Sequence, residues 1–281
     1  MRNTVKRQLA SVIPRNLLEK LPRSFDVLGS REGAIAIIEV PTELENYDEQ
    51  IANAIMDVHG NVKSVLGKES ERHGEYRLRD LRLLGGNKNT EVIHKESGCR
   101  FKLDPRKTYF STRESTERER VNNLVNFGDN ILVMFSGVAP FPICIARAHP
   151  SVTITCIEVK PIAHKYAVDN INLNKVQDRV TPLLGDVREV CPKLGKTFDR
   201  VLMPLPKGAH MFLDTAIPMV NQGGVLHLYH WASEGDLYSE AFQLVKGQAS
   251  QLGREAELLG GDKVSLYSPR VYKIRADFRL S

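Results

Sequence analysis

Four stretches in the second half of the 281-residue chain sit where an apolar run gives way to a helix-like segment, and their side chains suit a nucleoside ligand. The first is FSGVAPF at 135–141, where Gly137 permits close backbone approach and the following helix offers free N–H groups. It lacks the GxGxxG spacing of a dinucleotide site, and Ala139 and Pro140 fill the room a pyrophosphate needs. The second is Glu158, which closes VTITCIE; an acid there accepts bonds from both hydroxyls of a ribose. The third is Gly185-Asp186-Val187, where Asp186 can accept from an adenine amino group. Each acid alone reads equally well as the cap of the next helix. In order, on successive strands, they point to an adenosine pocket. The fourth is MPLPKGAH at 203–210, whose two prolines force the chain out of a sheet, either as a plain strand stop or as a rigid wall beside a planar substrate.

The elements that must carry these residues alternate regularly from about residue 115. ERERVNNLVNF reads as a helix, NILVMF as a strand and PICIARAHP as a helix. VTITCIEV, VTPLLGD, FDRVLMPLP and VLHLYHW continue as strands, separated by the helices PIAHKYAVDNINLNK, VREVCPKLG and AHMFLDTAIPMV, with Asn221-Gln222-Gly223-Gly224 as a turn. Continuous apolar strands alternating with helices imply a parallel, doubly wound α/β sheet, with ligands outside the carboxyl ends of its strands. Before it, residues 25–105 read as a small α+β domain. Its strands fall near 34–40, 62–66, 78–84 and 90–94, and one helix is opened by Thr42 as N-cap and ended at Gly60. Residues 1–24 read as a lead-in segment and 106–281 as the α/β domain.

Composition excludes several classes. The chain is 42% hydrophobic and 26% charged, with no apolar run near the length of a membrane span. Seven basic residues against two acids in residues 1–31 resemble a transit peptide, but Leu17, Leu18 and Leu21 fit an amphipathic segment better. Cys99, Cys144, Cys156 and Cys191 form no CxxC pair, so neither a metal site nor a disulfide framework is expected, and the cytoplasm suits such a chain. A net charge of +5 is compatible with a polyanionic partner without requiring one.

The series YFSTRESTERER, MFSGVAPFPI, CIEVKPIAHKYAVDNINLNK, GDVREV and DRVLMPLPKGAHMFLD resembles the archaeal and eukaryotic class I tRNA (guanine-37 N1) methyltransferases. HGEYRLRDLRLLGG and IHKESGCRFKLDP resemble the domain that precedes the catalytic one in that family. The resemblance implies a Rossmann-type methyltransferase domain that binds S-adenosylmethionine, a monomer, and the tRNA anticodon stem-loop as partner. It gives Arg77 the role of polarising the target base and Glu117 that of general base. It places Tyr109, Phe110, Arg118, Phe135, Ser136, Gly137, Val138, Glu158, Val159, Asp186 and Val187 around the cofactor. Pro204 and Pro206 stand in the proline loop beside the methyl group. Read without the resemblance, STERER is a charged helix start in which Glu117 and Arg120 pair on the surface.

Two positions depart from the family pattern. Pro204 stands where the common loop begins with Asn, as in a subgroup that also methylates a wyosine precursor. The usual Phe-Ser-Pro-Arg reads Phe-Ser-Thr-Arg at 110–113. The sequence begins after the point where archaeal relatives carry a further domain that checks tRNA shape, which bears on tRNA selectivity. RNA-facing candidates are Tyr76, Arg79, Arg82, Lys207 and His210, while His227, His230 and Trp231 read as rim or core residues. The nearest rival is an aminocarboxypropyl transferase of wyosine synthesis, which shares fold and cofactor; a non-catalytic tRNA-binding protein is the rival of another class.

Overall fold

A computed structural model describes residues 4–70 and 79–281 and divides the chain into two compact units, Met1–Thr112 and Arg113–Ser281. In the first, helices α1 (Val5–Leu9) and α2 (Arg15–Leu18) precede β1 (Asp26–Ser30), β2 (Gly33–Ile38), α3 (Asp48–Val58), β3 (Val62–Lys68) and β4 (Leu81–Gly86). The four strands form a sheet in chain order. Its middle pair, β2 with β3, is parallel because α3 returns the chain across it, and its outer pairs are antiparallel. A separate hairpin, β5 (Val92–Glu96) with β6 (Cys99–Leu103), completes the unit.

Leu9, Ile13, Leu18 and Leu21 are buried in one core with Ile38, Ile51, Ile55 and Val65. Burial of these apolar side chains, worth about 1.5–3 kcal/mol each, therefore holds the basic lead-in residues onto this unit. Thr42 does not cap α3. A 3-10 turn, Thr42–Tyr47, comes first, and α3 starts at Asp48, whose carboxylate and that of Glu49 favour the positive end of the helix. Arg82, expected to face RNA, is engaged in ion pairs with Asp48 and Glu69.

The second unit runs α4 (Ser115–Asn122), β7 (Asn130–Val133), α5 (Pro140–Ala148), β8 (Thr153–Glu158), α6 (Pro161–Leu173), β9 (Val180–Leu184), α7 (Val187–Val190), β10 (Phe198–Met203), α8 (Leu213–Ala216), β11 (Val220–Ser233), α9 (Ser239–Gln251), β12 (Ala256–Ser268) and β13 (Val271–Leu280). The sheet order is β12-β13-β11-β10-β7-β8-β9. The five strands from β11 to β9 are parallel, and β13 and β12 are added antiparallel. Chain order reverses between β7 and β10, the place where ligands bind in doubly wound sheets. The α/β expectation holds for the second unit, and the small α+β unit precedes it.

Two local readings change. The expected helix at 209–220 breaks into a 3-10 turn (Ala209–Phe212), α8 and a second 3-10 turn (Ile217–Met219), because Pro218 has no N–H to extend a helix. Asn221–Gly224 is not a turn: β11 passes through it, and a bulge with Gly223 at φ 76° absorbs the extra residues.

Period-2 alternation gives this sheet two unlike faces. Leu132, Met134, Val201, Met203, Leu226, Leu228, Ile274, Ala276 and Phe278 share one apolar core with Leu213 of α8 and with Ala241 and Val245 of α9. The intervening residues of β10, β11 and β13 include, beside Leu202, the polar or charged Arg200, His227, Tyr229, Lys273, Arg275 and Asp277, all buried. At the base of the sheet Arg254 donates to the carbonyls of Ile217, Val220, Asn221 and Leu280 at 2.7–3.2 Å. Arg254→Ala orphans these acceptors and is expected to cost roughly 2–4 kcal/mol, read as a fall in the denaturation midpoint with no change in the slope.

Candidate active site

The residues expected to hold a nucleoside lie at the carboxyl ends of three adjacent strands. After β7 the loop is unusually contorted: Phe135, Gly137 and Ala139 all have left-handed φ values, of 56°, 58° and 65°. For Phe135 and Ala139 this costs on the order of 1 kcal/mol each, the sort of strain that persists where a loop serves a site. Asn170 of α6 fixes the loop from below by donating to the Val138 carbonyl at 3.1 Å. A Cβ built on Gly137 meets nothing within 4 Å, so the space over the loop is open.

Glu158, at the end of β8, accepts from the backbone N–H of Gly137 at 2.7 Å through Oε2 and from that of Lys160 at 2.8 Å through Oε1. Burial pushes its carboxyl above the usual carboxylate range, against the lowering effect of these backbone bonds and of the Lys160 charge. A carboxylate has about four lone-pair sites, so beyond these bonds it keeps capacity to accept from the paired hydroxyls of a ribose. Gly185 N–H donates to the Glu158 carbonyl at 3.0 Å, tying the end of β9 to that of β8.

Asp186 caps α7 by accepting from Arg188 N–H at 2.8 Å. The side chain of Val187 is buried in the apolar core, as is that of Val138, while Val159 is partly exposed. Phe135 packs edge-on against Phe212, with ring centroids 4.9 Å apart, and the Arg188 guanidinium lies 4.0 Å over the Phe212 ring. This contact links the loops after β7, β9 and β10.

The proline loop leaves β10 as expected. Leu205 N–H turns back to the Met203 carbonyl at 2.8 Å, Pro204 is half-buried, Pro206 is buried and Lys207 is exposed. Parallel pairing sets Met203 opposite Leu228, so Tyr229 is level with Pro204 on the neighbouring strand.

Glu117 is the largest departure from a reading of STERER as surface. It is 1% exposed, on the face of α4 turned to the sheet, and Arg118 beside it is buried too. Its Oε1 accepts from Tyr229 Oη at 2.8 Å and from Arg275 at 2.7 Å. Its Oε2 is buried without a hydrogen-bond partner among the described residues. Arg120, 40% exposed, stands 3.6 Å from Oε2 and donates instead to the Lys263 carbonyl at 3.0 Å. Burial raises the Glu117 pKa, and Arg275, Tyr229 and Lys273 oppose that rise.

Of the remaining expected residues, Tyr109 and Phe110 belong to the first unit. The Phe110 ring rests on His94 and Phe101 at centroid distances of 5.3 and 5.5 Å. Arg77 and Tyr76 lie outside the described residues. No cluster of metal-ligating side chains occurs among the described residues, and no helix among them is long and apolar enough to cross a membrane.

The family model for the TRM5/TYW2 methyltransferase domain matches residues 92–259, and that for the TYW2 N-terminal domain matches residues 5–90. The chain belongs to the TRM5/TYW2 methyltransferase family. Among its TRM5/TYW2 relatives, the tRNA (guanine(37)-N(1))-methyltransferase Trm5b of Pyrococcus abyssi is 44% identical over 269 residues, covering 96% of this chain and 78% of that protein. The solved complex of aTrm5 with tRNALeu superposes with a TM-score of 0.85 at 31% identity, covering 100% of this chain and 79% of the other. TYW2 of Pyrococcus horikoshii in complex with MeSAdo superposes at 0.83 with 28% identity, covering 98% and 97%.

Arg275, Tyr229 and the charged face of β13 were not picked out by sequence reasoning. The period-2 run Lys-Ile-Arg-Ala-Asp was visible, but that pattern ordinarily marks a strand with one face in water.

Proposed function

We propose that this TRM5/TYW2 protein transfers the methyl group of S-adenosylmethionine to N1 of guanosine 37 in tRNA. The observation that carries the reading is a convergence in the second unit. Glu158 held by backbone N–H groups at the end of β8, the proline loop at Pro204, and Glu117 reached through Tyr229 all stand toward the carboxyl edge of one sheet. The tRNA substrate and position 37 come from what the Pyrococcus abyssi relative is named for.

The residues present suit the cofactor. Glu158 would hold the ribose hydroxyls, Asp186 the adenine amino group, and the open backbone at Gly137 the portion next to the ribose. Phe135, Ser136, Val138, Val159, Val187 and Arg118 would line or support that cradle. Bound S-adenosylmethionine supplies an electrophilic methyl on a sulfonium. Guanine N1 carries a proton at neutral pH, so the chain must remove it, and Glu117 Oε2 is the acceptor in this reading. A carboxylate whose pKa is raised is a stronger base than one in water, which suits that task. Guanine reaches Oε2 when Arg120 swings aside, since it is the exposed neighbour of an otherwise enclosed oxygen. Pro204 and Pro206 keep the wall beside the base rigid, and a cation such as the one the family resemblance assigns to Arg77 is what the negative charge developing at O6 requires. The anticodon stem-loop as the bound part of tRNA, a monomeric state and a cytoplasmic setting belong to the same proposal.

Aminocarboxypropyl transfer uses the same cofactor and is distinguished by its product. Mass spectrometry of nucleosides released from tRNA after incubation with S-adenosylmethionine is expected to show a monomethylated guanosine. An aminocarboxypropyl adduct, or unmodified tRNA with cofactor bound, overturns the reading.

A further inference from the structure

Burying a charge is costly, and a buried ion pair is seldom more stable than well-packed apolar side chains of the same volume. The α4-facing side of β10, β11 and β13 nevertheless buries a continuous chain of charge-assisted bonds. Asp129 Oδ2 accepts from Arg200 Nε at 2.6 Å, and Arg200 donates to His227 Nε2 at 3.1 Å. A guanidinium only donates, so Nε2 is the acceptor, and His227 is the neutral tautomer with its proton on Nδ1. That proton goes to Asp277 Oδ1 at 2.6 Å. Burial likewise lowers the His227 pKa, with Asp277 opposing.

Asp277 in turn accepts from Arg275 Nε at 2.9 Å, and the rest of the Arg275 fork reaches Glu117 Oε1 at 2.7 Å and Asp262 at 2.6 Å. Arg275 is 2% exposed. Burial by itself would lower its pKa, but the Glu117 and Asp277 carboxylates more than offset this, so it stays charged. All three nitrogens of the fork are thus committed, and the Asp277 end is locked from behind by His227 and Arg200. The result is a rigid guanidinium aimed at one oxygen of Glu117.

We propose that Arg275 is a positioning residue for Glu117: with Tyr229 it occupies Oε1 and directs the proton-accepting lone pair to Oε2. This rests on Glu117 being the general base. The asymmetry is the argument, since Oε1 carries two donors while Oε2, equally buried, has none among the described residues. The Arg275 charge also opposes the rise in the Glu117 pKa that burial causes. The other charged or titratable groups around Glu117 are Glu114, Arg118 and Arg120 of its own segment, Tyr229 of β11, and Lys273 and Asp277 of β13. Asp262 and Lys263 of β12 face the same cluster through Arg275 and Arg120, and α5, which packs on α4, carries the titratable or charged groups Cys144 and Arg147. Lys273 is held by Glu114 at 3.0 Å and lies 4.9 Å from the Tyr229 ring, and its charge opposes the rise in the Glu117 pKa.

The test is the pH dependence of single-turnover methyl transfer to tRNA by the whole protein, with cofactor affinity and melting temperature as controls of folding. Arg275→Met is expected to move the acid limb of the profile up by about 1–3 pH units, the usual influence of one adjacent opposite charge. Arg275→Lys keeps the charge but loses the fork. It is expected to leave the limb in place while the plateau falls about tenfold, a magnitude near one misplaced hydrogen bond. Tyr229→Phe is expected to lower the plateau with a smaller shift of the limb. Glu117→Gln, run alongside, separates the two claims. If it retains the full rate, Glu117 is not the base and the proposal falls with that reading. If it is slow but the Arg275 and Tyr229 variants keep the parent limb and plateau, the base stands and the positioning role is refuted. Should Arg275→Met not fold, Arg275→Lys and Tyr229→Phe decide: parent behaviour in both refutes the proposal.

Discussion

Glu117→Gln is expected to slow single-turnover methyl transfer by about 10²- to 10⁴-fold, the usual worth of a positioned general base, while cofactor affinity stays at the parent value. The substitution keeps the side-chain volume and an oxygen for Arg275 and Tyr229, so the loss falls on the proton transfer. Stability should move the other way. Because the folded pKa of Glu117 is raised, ionising it opposes folding. Its contribution is most favourable below the unfolded value of about 4.3 and declines as pH rises through the folded one. Gln does not titrate, so the variant's melting temperature relative to the parent is expected to rise across that window. A profile in which the parent gains stability relative to the variant with rising pH would show that the network favours the ionised form.

The second large effect is expected at Glu158. Glu158→Gln should weaken binding of S-adenosylmethionine by about 10²-fold or more, measured by titration calorimetry. Both carboxylate oxygens face backbone N–H groups, those of Gly137 and Lys160. An amide must point its NH2 at one of them, so a donor meets a donor. The variant loses one charge-assisted bond in the protein and one to the ribose, each worth about 1.5–3 kcal/mol. About 3 kcal/mol corresponds to roughly 10²-fold in affinity. Binding within twofold of the parent would remove Glu158 from the cofactor site.

The strand ends at which we propose that the nucleoside binds were legible because their rules are local. Apolar runs ended by Gly137, Glu158 and Asp186 mark parallel strands and their ligand edge, and the prolines at 204 and 206 can only leave a sheet. The proposed base end rests on family resemblance alone at the level of sequence. Four consecutive charges at 117–120 point all round a helix, and nothing local says that Glu117 and Arg118 turn inward while Glu119 faces water. The partner that makes burial tolerable, Arg275, comes 158 residues later in a strand whose alternating charges imitate a solvent face. Asn221–Gly224 misled for the opposite reason: turn-forming residues there make a bulge, since β11 is already held by β10 on both sides of it.

The measurement that tests the account most directly is transfer of labelled methyl from S-adenosylmethionine to unmodified tRNA transcripts that differ at position 37. Label appearing as 1-methylguanosine with G37 and absent with A37 is the predicted result. Equal labelling of both transcripts, or label on another nucleoside, would contradict it.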